Sequence, residues 1–225
     1  VARELANQGV SLVLNGRDNT RLKTLAQRCA RKVNVVPVVG DVSNPAVAER
    51  LFEEAQALLK NLSPRKTRGE LNAVFCTGFA RFGDTLKLPD EAWHQSLSSN
   101  LSAYFFACRS AIRAMKKLGK GHIVNVLSIA SLHPFPQSSA YVASKYGALG
   151  LTRSLSAEYR STGIRFTALI LGSVNTPLWE AQPWKPNPKD MLSPADVATA
   201  IVHILQSPSH LSYDEVHLLP AKGIL

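Results

Sequence analysis

No stretch of this 225-residue sequence approaches the run of about 18 apolar residues that a membrane span requires. Cysteine is scarce: Cys29, Cys76 and Cys108 stand far apart, odd in number and without a C-x-x-C pair. That excludes a disulfide framework, offers no zinc-ligand spacing, and makes a reduced, cytoplasmic setting the expectation. The six histidines are scattered as well, so no metal site is expected. Internal repeats and low-complexity tracts are missing too. Positive charge, in contrast, is abundant, at +10 net. The basic residues are dispersed over helical faces (Arg21, Lys23, Arg28, Arg31 and Lys32; Arg109, Arg113, Lys116, Lys117 and Lys120) and one charged loop at 63–69. A nucleic-acid surface would gather them with aromatics into a stripe, so no such partner is expected. Solvated helix faces account for them, and the remaining positive field would draw a phosphorylated cofactor or an anionic substrate.

Apolar runs of strand length fall at residues 10–15, 33–39, 71–76, 123–127, 164–171 and 215–219. Between them lie helical patterns at 20–31, 45–62, 90–118, 139–161 and 193–206, and residues 1–9 read as the back half of a helix that Gly9 stops. This alternation predicts βαβ units in an α/β fold, a doubly wound parallel sheet with helices on both faces, as one domain over 1–225. Ligands of such sheets bind outside the carboxyl ends of the strands. The residues after those ends (Gly16-Arg17, Asp41, Thr77-Gly78, Ser128 and the turn from Gly172 to Thr176) would gather along one edge. Residues 177–193, with Trp179, Trp184, Pro183, Pro186 and Pro188, read as a lid-type substrate loop.

The most informative stretch is GHIVNVLSIASLHPFPQSSAYVASKYGALG, residues 121–150. It reads as a strand ending at Ser128, a loop, and a helix from about Ser139 on which Tyr141 and Lys145 share a face one turn apart. A free phenol titrates near ~10 and is a poor proton-transfer group at neutral pH. An ammonium one turn away favours the phenolate, which would equip Tyr141 to exchange a proton with a carbonyl or alkoxide oxygen.

Ser128, Tyr141 thirteen residues later and Lys145 form the pattern S-x12-Y-x-x-x-K. Joined to GHIVNVLS, ASKYGALGLTRSL, Asn100 upstream and the turn from Gly172 to Thr176 downstream, it resembles the short-chain dehydrogenase/reductase family over essentially the whole chain. The resemblance implies a Rossmann-type fold and hydride transfer between a nicotinamide cofactor and a small-molecule carbonyl or secondary alcohol. Tyr141 would be the acid–base group, and Ser128 would orient the reacting oxygen. Lys145, with Tyr141, would bind the nicotinamide ribose, and Asn100 would hold a relay water through its main chain. Asp41 and Val42 match the adenine contact, though Asp41 also suits a helix-start turn. Gly78 is what remains of an Asn-Asn-Ala-Gly stretch, here Phe75-Cys76-Thr77-Gly78, with Cys76 read as a small buried filler rather than a reactive thiol. Gly172, Val174 and Thr176 match the turn beside the nicotinamide, Leu171 replacing its proline. Where NAD sites carry an acid at the end of the second strand, this sequence has Gly16 and then Arg17, whose fork suits a 2′-phosphate. NADP is therefore expected over NAD, the plainer alternative being an exposed loop arginine. His133, Phe135 and Gln137 stand where substrate contacts or ordinary loop residues are both expected.

The family's Thr-Gly-x-x-x-Gly-x-Gly turn and its first strand do not occur in the sequence. They would precede Val1, the strand lying between those at 10–15 and 71–76, so the chain is expected to be N-terminally incomplete with two facing sheet edges. The long helices 90–118 and 139–161 match those that build homodimers or homotetramers in the family, although covering the sheet explains them equally. Two alternatives stand beside the general oxidoreductase: a 3-oxoacyl-thioester reductase, and a non-catalytic scaffold of the same fold.

Overall fold

A computed structural model describes residues 1–62, 70–182 and 184–224; the charged loop at 63–69 and Pro183 lie outside the described residues. Helices and strands alternate as α1 (Ala2–Asn7), β1 (Leu12–Gly16), α2 (Asn19–Ala30), β2 (Val35–Val39), α3 (Pro45–Lys60) and β3 (Asn72–Phe75). They continue as α4 (Asp90–Leu97), α5 (Ala103–Lys116), β4 (Gly121–Ser128), α6 (Ser139–Tyr159), β5 (Ile164–Leu171), α7 (Pro194–Leu205) and β6 (Glu215–Leu218). Local chemistry sets the boundaries. Asp18 accepts from the Arg21 amide at 3.0 Å to start α2, and Asn44 does the same for α3 from Ala46, with Pro45 opening the helix. Ser193 and Asp196 form a reciprocal capping box on α7. Gly163, which ends the turn after α6 at φ +78°, lies so close to the Gly119 carbonyl that a Cβ there would stand 2.4 Å from its oxygen.

Every strand pairing is parallel. The backbone of the domain is the β4–β5 ladder, which runs in register from Gly121 opposite Ile164 to Ser128 opposite Leu171. Successive residues of these strands face opposite layers, as the period of two demands. Ile123, Phe166 and Ile170 pack with α3, α5 and α6, whereas Val124 and Leu169 pack with Val197, Ile201 and Ile204 of α7. The expected helices on both faces are thus present.

Two features differ from a single continuous sheet with smooth helices. The strands form a pair, β1-β2, and a separate four-stranded sheet, β3-β4-β5-β6. The expected edges, β1 and β3, line a cavity of about 1770 Å³ that reaches from Leu12 and Val74 to Arg17, Asp41 and Gly78. The helix expected over 90–118 is interrupted by a π-helical turn at Ser98–Ser102. The extra residue in that turn brings the Asn100 side chain inward, where it bonds the Phe79 backbone and Ser144. Among the described residues no helix is long and apolar enough to cross a membrane, and no cluster of His, Cys, Asp or Glu could hold a metal ion.

Candidate active site

The carboxyl end of β4 delivers Ser128, whose hydroxyl accepts from the Ala130 amide at 3.2 Å and so opens a short 3-10 turn. The chain then crosses to α6 through a loop fixed at two points. The Tyr146 hydroxyl donates to the Leu132 carbonyl at 2.6 Å, and Gln137, at φ +56°, accepts from the Gly83 amide at 2.8 Å. Phe135 of this loop packs against the core. The first turn of α6 thereby sets the Tyr141 phenol near enough to the Ser128 hydroxyl to be influenced by it. One turn later, Lys145 is 4% exposed, and its ammonium lies 5.7 Å from the Tyr141 ring centroid and 5.6 Å from that of Tyr104.

The electrostatics differ from the sequence expectation in one respect. Burial pushes the Tyr141 phenol above its ordinary value, and the Ser128 hydroxyl pulls it back only in part. Lys145 itself is brought down to about 8, because burial disfavours its charged form. With the ammonium placed over ring faces, the phenol is held protonated at neutral pH. Cys76, at the end of β3, is exposed on the cavity wall, which corrects the expectation of a buried filler: the space beside β3 is open there.

Asn100 is fully buried, as suits a structural hub. Its Oδ1 accepts from the Phe79 amide at 2.8 Å, while its Nδ2 donates to the Phe79 carbonyl at 2.8 Å and to Ser144 Oγ at 2.9 Å. Gly78 runs so near that a Cβ there would lie 3.3 Å from Asn100 Oδ1 and 3.7 Å from Lys145 Nζ. Beneath them the Tyr104 hydroxyl faces the carbonyls of Phe75 (3.3 Å), Thr77 (3.2 Å) and Val126, tying the end of β3 to β4.

At the other end of the cavity the largely exposed Arg17 faces the half-buried Asp41 at 3.7 Å, and Val42 lies buried beside them. The Asp41 carboxylate also accepts from the Ser43 amide at 2.9 Å, so its role in the helix-start turn is real. Of the turn after β5, Gly172 packs where a Cβ would meet Pro220 at 2.6 Å, and its amide donates to the Leu218 carbonyl at 2.9 Å. Val174 bridges to Leu192 and accepts from the Trp179 indole at 2.9 Å, and Thr176 starts the 3-10 turn Pro177–Ala181.

Sequence reasoning missed Phe82, beside Tyr141, and Gln182, which bonds the Phe82 backbone. Phe82 stands edge-on to Tyr141 with ring centroids 5.6 Å apart, and 6.2 Å from Trp179. Gln182 binds the backbone of Ala80 and Phe82 from across the cleft. The only hint in the sequence was an aromatic pair, Phe79 and Phe82, in a loop that follows a strand end.

A family profile described as short chain dehydrogenase matches residues 1–186. An uncharacterised oxidoreductase of Staphylococcus saprophyticus is 30% identical over 223 residues, covering 98% of this chain and 91% of that protein. One from Staphylococcus haemolyticus is 28% identical over 220 residues, covering 97% and 90%. Among solved structures, an alcohol dehydrogenase from the archaeon Thermococcus sibiricus, complexed with 5-hydroxy-NADP, superposes with a TM-score of 0.82 at 26% identity, over 96% of this chain and 88% of that one. Sheet order, the site at the carboxyl edge and the profile converge, and the chain belongs to the short-chain dehydrogenase family of oxidoreductases.

Proposed function

We propose that the protein is an NADP(H)-dependent oxidoreductase that interconverts a carbonyl compound and a secondary alcohol, with Tyr141 as the acid–base group. The observation that carries this reading is the buried Tyr141 phenol within the influence of Ser128, with the Lys145 ammonium 5.7 Å from its ring centroid. Two features fit a nicotinamide cofactor. The Lys145 ammonium makes no hydrogen bond within the described residues, which leaves its donors for ribose hydroxyls, and Gly78 leaves open a close backbone approach beside it. Arg17 and Asp41 form the rim expected for the adenosine end. Their 3.7 Å separation is long for a committed ion pair, so the guanidinium is available to a 2′-phosphate. The NADP analogue in the Thermococcus sibiricus protein supports the same choice. Val42, Gly172, Val174 and Thr176 would flank the adenine and nicotinamide ends. Such a cofactor, when bound, supplies the hydride.

The chain's own residues do the rest. Ser128 orients the substrate oxygen, and Tyr141, protonated at neutral pH, gives its proton to that oxygen as negative charge develops there. Lys145 stabilises the phenolate left behind. Residues 177–193 form the loop against which substrate rests, and the partly exposed rings of Phe105 and Tyr146 on α5 and α6 support a homodimer or homotetramer. Three free cysteines agree with a reducing, cytoplasmic setting. The test is nicotinamide turnover with a ketone panel in the parent and in Tyr141→Phe. The variant should lose roughly 10²- to 10⁴-fold in kcat while it keeps its melting temperature. Equal rates would overturn the reading.

A further inference from the structure

Three rings in series lead away from Tyr141. Phe82 meets it at an interplanar angle of 76°, Trp179 lies 6.2 Å from Phe82, and Trp184 lies 6.1 Å from Trp179 at 86°. Trp184, at 58% exposure, presents bare aromatic surface at the outer end. Phe82 and the two tryptophans come from different loops, one after β3 and one after β5. Among the described residues, the Gln182 amide joins those loops by hydrogen bonds, beside the Phe82–Trp179 ring contact. Gln182 accepts from the Phe82 amide at 3.2 Å and donates to the Ala80 carbonyl at 2.9 Å and to the Leu178 carbonyl at 3.1 Å. Trp179 is steadied separately by its indole bond to Val174.

A substrate whose carbonyl oxygen sits at Ser128 and Tyr141 would have the Phe82 ring, which meets Tyr141 edge-on, beside one of its substituents. An alkyl group there would bury area only. An aryl group would also gain edge-to-face contacts of the kind the wall already makes among its own rings. We propose, on the oxidoreductase reading above, that the substrates are aryl ketones or the corresponding aryl carbinols, and that Gln182 is the positioning residue that holds Phe82 against Tyr141. The wall is complete when the Gln182 clasp is closed. Loosening the clasp lets the Phe82 ring leave the substrate's ring while the Ser128–Tyr141 pair stays in place.

The experiment compares an aryl methyl ketone (acetophenone) with an alkyl methyl ketone of similar volume (2-octanone), in the full chain. Binding is read separately, without turnover, by quenching of Trp179 and Trp184 in a Trp93→Phe background. The expected results are a preference of about tenfold or more in kcat/KM for acetophenone, and saturable quenching by it. Phe82→Leu and Trp179→Leu should bring the two ketones to within about threefold of each other. Gln182→Ala should raise KM for acetophenone more than it changes kcat, and Gln182→Glu, which keeps the acceptor for Phe82, should recover part of the loss. Turnover with no aryl preference overturns the inference and leaves the oxidoreductase reading standing. Saturable, Phe82-dependent quenching without turnover of any ketone supports the aryl site and removes the oxidoreductase reading. Absence of both preference and quenching overturns the inference outright.

Discussion

The Lys145 ammonium lies 5.7 Å from the centre of the Tyr141 ring, and α6, which carries both residues, fixes that separation. Burying a charge in this position is costly. Lys145 titrates near 8 in the folded protein against 10.5 for an ordinary lysine, so the unfolded chain holds the proton more tightly. The contribution of this group to stability is therefore poorest below pH 8 and improves as pH rises from 8 toward 10.5.

Lys145→Met should stabilise the protein at pH 7 by up to about 3 kcal/mol while abolishing turnover. Denaturant unfolding at pH 7 and at pH 10 checks it, because the advantage of the variant should shrink at the higher pH. A variant less stable than the parent at pH 7 would show that the ammonium is compensated within the fold.

Asn100→Ala removes three hydrogen bonds at once and strands the amide and carbonyl of Phe79. A loss of about 2–4 kcal/mol is expected from denaturant melts. Ser144→Ala combined with it should cost less than the sum of the two, since one bond is shared. Strict additivity would place Asn100 outside this network.

Arg17→Ala should raise KM for NADPH about 10- to 100-fold and leave KM for NADH nearly unchanged, because the lost interaction is with a 2′-phosphate. Steady-state kinetics with both cofactors decides. Parallel changes for the two would assign Arg17 to the loop surface.

His122, on β4, is fully buried, with its Nε2 2.8 Å from Thr167 Oγ1 of β5, and burial, helped by Arg165, lowers its pKa to about 4. The unfolded histidine, at 6.5, binds the proton first, so stability should fall as pH drops from 6.5 toward 4 and level off below. The total loss is roughly 3 kcal/mol. Melting temperatures across that range, compared with His122→Gln, test it: the variant should show a flatter profile.

The order of helices and strands, the parallel pairing and the meeting of Ser128, Tyr141 and Lys145 were legible because each rests on local pattern: strand runs, caps such as Asn44 and Ser193, and a four-residue helical spacing. The register of β4 on β5 follows from the same alternation. The π turn at Ser98–Ser102 was not legible, since the bonds it lets Asn100 make reach the backbone of Phe79, far away in sequence. Nor was the protonated state of Tyr141. Spacing revealed a nearby ammonium, but how deeply both groups are buried depends on packing against Tyr104 and on the loops around them. Phe82 and Gln182 lie 100 residues apart in sequence, and nothing local announces a pair at that distance.

Tyr104 beneath the site has a wider consequence. A phenol carries one hydrogen, and this one, held on by burial, is presented to three carbonyls from two strand ends. Whichever carbonyl receives it, two others stand ready to take over when the strand ends shift. The joint between the segment bearing Gly78 and the strand bearing Ser128 is thus a swivel rather than a rivet. A shift of either side can be met by turning the O–H toward another carbonyl, the proton staying on the phenol throughout.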